Sequence, residues 1–105
     1  MEKQYAKQRM IKDITVEDSR IQLTAYVKEI LDENFIILDD KTGEIKVNLK
    51  DAEFGFNKDD LINIIGFLNI NMNGEKEIDA EIIQDMTNLN FEYYQKIYEI
   101  KKSLI

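Results

Sequence analysis

Between residues 20 and 83, apolar side chains recur at every second position in five separate runs. Successive side chains of a strand point to opposite faces, so this period marks half-buried strands. Arg20 to Ile30 puts Ile21, Leu23, Ala25 and Val27 on one face and Gln22, Thr24, Tyr26 and Lys28 on the other. Phe35 to Leu38 forms a second strand after the turn Asp32-Glu33-Asn34, and Glu44 to Lys50 forms a third. Leu61 to Met72 is a long fourth strand, and Glu75 to Ile83 is the fifth, with Ile78, Ala80 and Ile82 expected inward. The turn Asp39-Asp40-Lys41-Thr42-Gly43 offers Gly43 for a positive φ. Its two aspartates are expected to serve local backbone hydrogen bonds rather than a metal. Asn73-Gly74 is a strong hairpin signal.

Five strands in a flat sheet would leave open edges that invite pairing with other chains, and closure into a barrel removes them. The longest connection, Asp51 to Asp60, lies between the third and fourth strands, where an OB-fold places its crossover. Phe54 and Phe56 within it are expected to plug the open barrel end. The lone Gly66 suits a sharp bend or a close backbone approach.

After residue 88 the period changes. Asn88 or Asn90 can cap a helix from Phe91 to Leu104. At about 100° per residue, Tyr93, Ile97, Ile100 and Leu104 share one stripe, while Phe91, Tyr94, Tyr98 and Ile105 form a neighbouring one. Together these stripes are wider than the apolar face of an ordinary surface helix. One can cover the chain's own barrel, which leaves the other for a partner; the alternative is that barrel and N-terminal segment absorb both. The expected organisation is mainly β: a five-stranded OB-fold barrel over 13–88, a flexible basic tail over 1–12, and a C-terminal α-helix for oligomerisation over 89–105.

Charge limits the partners. The net charge is −7; residues 1–12 carry +3, residues 91–105 carry +1, and residues 13–90 carry −11. A polyanion is repelled by most of such a surface. Cysteine and histidine are absent, which removes disulfides, thiolate chemistry, Cys/His zinc sites and the commonest general base. The sequence has no phosphate-cradling glycine loop, no nucleophile beside a base and no metal-ligand cluster, so neither an enzyme nor a cofactor is expected. It also lacks an apolar run of about 18 residues or an export signal, so an intracellular setting is expected, cytoplasmic or nuclear according to the cell type.

The segments Ile21-Gln22-Leu23-Thr24-Ala25-Tyr26-Val27, Phe35 to Ile45 and Ile64-Ile65-Gly66-Phe67-Leu68 follow one another in this order. This arrangement resembles the OB-fold of replication protein A and its archaeal relatives over about residues 20–83. The helix resembles that of the family's middle and small subunits, where such helices assemble a trimer as a bundle. The resemblance implies a non-catalytic subunit of a single-stranded-DNA-binding complex in replication, repair or recombination. It would join larger DNA-binding subunits through Phe91, Tyr94, Ile97, Tyr98, Lys101 and Ile105.

The strand-two and strand-three face, with its flanks, offers Tyr26, Lys28, Phe35, Ile37, Lys46, Asn48, Lys50, Phe67 and Asn69 for nucleic acid. The sequence departs from the family at Ala25, where glycine is frequent. It also has no aromatic residue on the third strand or the last hairpin, where the DNA-binding members use them. Binding by this chain alone is therefore expected to be weak, since base stacking supplies about 1–3 kcal/mol per base. For Tyr26, Phe35 and Phe67 the competing reading is packing against the tail or the helix, and for Lys46 and Lys50 it is solvated strand charge. A telomere-capping or RNA-associated adaptor that binds mainly protein is the alternative function, because fold does not fix function.

Overall fold

Alternating aliphatic residues build each strand, and pairing along both edges of the first long strand closes the barrel. The structure, a computed structural model, describes residues 5–50 and 52–104. Its elements are β1 (Lys7–Gln8), a 3-10 turn (Ile11–Asp13), β2 (Arg20–Ile30), β3 (Phe35–Asp39), β4 (Glu44–Asn48), β5 (Leu61–Ile70), β6 (Lys76–Asp85) and α1 (Phe91–Ser103). The five expected strands are β2 to β6. β2 pairs with β3 over Tyr26–Ile30 and with β5 over Arg20–Tyr26. The β3–β4 hairpin, the parallel β4–β6 contact and the β6–β5 hairpin complete the ring. This is a closed five-stranded OB-fold barrel with a C-terminal helix, as the periodicity predicts.

The inward faces meet in one core. Ile21, Leu23, Ala25, Val27, Ile36, Leu38, Val47, Ile62, Ile64 and Ile78 have no exposed surface. Phe54 and Phe56, ring centroids 5.5 Å apart, pack against it from the β4–β5 connection, as expected of a plug. Gly66 sits where β5 crosses close to β6. A Cβ there would lie 2.8 Å from Ile78 Cγ2 and closer still to the Asp79 carbonyl oxygen. The β6 register shifts at this point: Ile65 faces Ile82, but Gly66 faces Ala80, which leaves Glu81 as an extra residue. A bulge reverses the alternation beyond it. Ile82, expected inward, is therefore 45 % exposed, and Ile83 packs on the core instead.

Two other expectations change. The positive φ of the β3–β4 turn falls on Lys41 rather than Gly43, whose missing side chain instead admits Ile11. In the β5–β6 turn Gly74 does take a positive φ. Residues 1–12 were expected as a tail. Residues 1–4 lie outside the described part, whereas from Lys7 onward the segment is structured. β1 runs parallel to β2 beside Ile21 and Gln22, and Met10 is buried. The Ile11 amide donates to Asp40 Oδ2 at 2.7 Å, and the Arg9 guanidinium donates to both Asp18 oxygens.

Asn90 caps α1, its side-chain oxygen accepting from the Tyr93 amide at 3.0 Å. No helix among the described residues is long and apolar enough to cross a membrane.

Gly66→Ala is expected to lower unfolding stability by about 1–3 kcal/mol, the usual cost of overpacking. Gly55→Ala, with open space around it, should change stability by less than about 0.5 kcal/mol. Urea unfolding of both variants tests this, and equal midpoints would refute the close-approach account.

Candidate nucleic-acid and partner surfaces

The strand registers bring four of the expected nucleic-acid residues together. On adjacent strands, Phe35 faces Asn48 and Ile37 faces Lys46. Lys46 Nζ lies over the Phe35 ring, 4.4 Å from its centroid. Lys50, just beyond β4, places its Nζ 3.9 Å from Asp79 Oδ2. Lys28 ion-pairs with Glu44, and that hydrogen bond raises the Lys28 ammonium pKa. Phe67, 40 % exposed, and Asn69 lie on β5, separated from β4 by Glu77 and Asp79 of β6.

Tyr26 is withdrawn from this face. It meets Phe91 of α1 edge-on at 5.1 Å, with Lys41 Nζ 5.3 Å from its ring centroid. Every lysine of the set therefore has a carboxylate or an aromatic ring beside it. A nucleic acid would have to displace those contacts in a field dominated by acids.

Helix α1 separates its two stripes. Phe91 and Tyr98 are buried against the chain's own barrel and N-terminal segment, and Tyr94 is half-buried beside them. Tyr94 Oη accepts from Gln8 Nε2 at 2.8 Å. Tyr98 Oη donates to Asp13 Oδ2 at 2.8 Å, and Lys102 Nζ donates to Asp13 Oδ1 at 2.9 Å. Gln95 Nε2 donates to the Asp40 carbonyl at 2.6 Å, and Lys12 pairs with Glu99 at 2.6 Å. This corrects the expected partner set: Phe91, Tyr94 and Tyr98 are spent within the chain. Ile97 is half-buried, Lys101 is exposed, and Ile105 lies outside the described residues.

The stripe left open is Tyr93, Ile97, Ile100 and Leu104, with Tyr93 62 %, Ile100 59 % and Leu104 80 % exposed. Its 4-3-4 spacing, visible in the sequence, is that of a helix–helix seam. The periodicity identified both stripes; the N-terminal residues that occupy one of them carry no local signal.

No family model matches the sequence, and no curated protein does so. Solved structures do. Telomere capping protein Ten1 from S. pombe superposes with a TM-score of 0.78 at 16 % identity, covering 94 % of this chain and 99 % of that one. A chain of a replication protein A heterotrimer bound to ssDNA gives 0.62 at 13 % identity, covering 82 % and 72 %. The second OB-fold domain of replication protein A from Methanococcus maripaludis gives 0.60 at 22 % identity, covering 76 % and 95 %. At such identities the likeness establishes the OB fold.

Burial raises the Asp13 carboxyl pKa, but the Lys102 and Tyr98 hydrogen bonds outweigh it and hold it below the ordinary value. A carboxyl depressed in the folded state contributes stability above its unfolded pKa of about 4 and loses it as pH falls through the lowered value. Asp13→Asn should therefore be less stable than wild type at neutral pH and converge with it in acid. Hydrogen exchange in α1 should also quicken. Parallel pH–stability curves would contradict this role.

Proposed function

We propose that the chain is a non-catalytic subunit of a single-stranded-DNA-binding complex, joined to a larger DNA-binding subunit through the outer stripe of α1. The observation that carries this reading is the exposure of Tyr93, Ile100 and Leu104 on a helix whose other stripe is already occupied. Exposed large apolar groups in a seam pattern mark an interaction surface. The barrel's own share of nucleic-acid contact is small. Phe35, Lys46, Asn48 and Lys50 offer one ring and two amines, against Glu44, Glu77 and Asp79. The replication protein A neighbour, solved as a heterotrimer on ssDNA, supports this setting.

A telomere-capping role is the second reading. It is favoured by one observation: the Ten1 match spans 94 % of this chain and 99 % of that protein, helix and barrel together.

Two measurements test the main reading. The isolated chain should bind oligo-dT weakly, with affinity falling as salt rises; tight, salt-insensitive binding would contradict it. Affinity purification of the tagged full chain should recover a DNA-binding subunit. That subunit should be lost with Ile100→Asp/Leu104→Asp, whose circular dichroism should match wild type. Retention of the subunit by this variant would refute the proposed docking stripe.

A further inference from the structure

The outer stripe of α1 has charged borders of a single sign. Set out as a seam, Tyr93 and Ile100 take the d positions and Ile97 and Leu104 the a positions. The bordering e and g positions are then Tyr94, Lys96, Lys101 and Ser103. At about 100° per residue, Lys96 and Lys101 fall on opposite sides of the stripe. Both are exposed. No acidic residue stands at an e or g position of the helix.

The acids of the helix do not cancel these charges. Glu92 and Glu99 both sit at c positions, further round the helix than the borders. Glu99 is held by Lys12 at 2.6 Å. Glu92 lies 3.5 Å from Lys96, but both side chains are largely exposed, and a solvated pair of this kind binds its partners weakly. Lys101 makes no ion pair among the described residues. Its neighbour Lys102 is turned inward onto Asp13.

We propose that the outer stripe docks a helix of a partner protein that carries aspartate or glutamate on both borders of its own apolar seam. The inference rests on the docking role of this stripe and adds the chemistry that chooses its occupant. Across a two-helix seam the e and g side chains face those of the partner and set partner choice. A helix with acidic borders meets Lys96 on one side and Lys101 on the other, and Lys96 leaves Glu92 at little cost. A second copy of this chain offers neither lysine an acid. In a parallel seam it sets Lys96 against the copy's Lys101. In an antiparallel seam centred between Ile97 and Ile100 it presents Ser103 to Lys96 and Tyr94 to Lys101. The selection is local, because exposed charges more than about 8 Å apart are largely screened at physiological salt.

The probes are two blocked, fluorescently labelled helical peptides, each about three heptads long with the same isoleucine and leucine seam. One has glutamate at every e and g position, the other lysine, and like charges keep each from pairing with itself. Titrated into the full chain at physiological salt, the glutamate peptide should bind at least about fivefold more tightly. The chain's net charge of −7 favours the lysine peptide everywhere else, so nonspecific attraction cannot produce this preference. Lys96→Gln/Lys101→Gln should abolish the preference, and Lys96→Glu/Lys101→Glu should reverse it, both with the circular dichroism of wild type. The acidic-partner proposal is overturned, and the docking stripe kept, by two results: a glutamate preference that survives these substitutions, or wild-type binding that is equal or favours lysine while Ile100→Asp/Leu104→Asp binds neither peptide. Undiminished binding by Ile100→Asp/Leu104→Asp, or no binding of either peptide to wild type, overturns both.

Discussion

Strand β2 is shared between two partners, and the rest of the molecule is arranged around that sharing. Its first half pairs with β5 and its second half with β3, with Tyr26 belonging to both registers. A strand used on both edges forces the sheet to curl, and the curl brings the inward aliphatic faces into a core without exposed surface. Curvature needs a place where backbones can nearly touch. Gly66 is that place, because any Cβ would collide with β6. The bulge opposite it follows from the same crossing and decides which side of β6 faces the core.

The two ends of the chain then meet on the outside of this barrel. Asp40, fully buried in the β3–β4 turn, accepts from Ile11 through its side chain and from Gln95 through its carbonyl. Asp13 accepts from Tyr98 and Lys102. Polar contacts to α1 thus come largely from residues 8–13 rather than from strand faces. They fix the helix's rotation about its axis, and so direct Tyr93, Ile100 and Leu104 to solvent. Exposed pairs such as Lys96–Glu92 add little to this; the partly buried Asp13 cluster is what selects one rotation.

Strand register sets the electrostatics of the outer face of β3 and β4. Lysines are present on the expected face, but the strand registers set Glu44, Glu77 and Asp79 among them. A short-range cancellation of this kind weakens the attraction of such a face for a phosphate backbone.

The sequence by itself determined the strands, the closure, the C-terminal helix, the Asn73-Gly74 hairpin and the plugging role of Phe54 and Phe56, and it narrowed the helix cap to Asn88 or Asn90, of which the structure uses Asn90. All of these rest on side-chain period or turn chemistry within a few residues. Tertiary structure alone decided which helical stripe is buried, that Ile83 rather than Ile82 enters the core, that Lys41 rather than Gly43 takes the positive φ, and that the N-terminal segment straps the helix. Each depends on contacts between distant residues, such as Tyr98 with Asp13, 85 positions apart. A period states which residues share a face; it carries no information about what that face will meet once the chain has closed on itself.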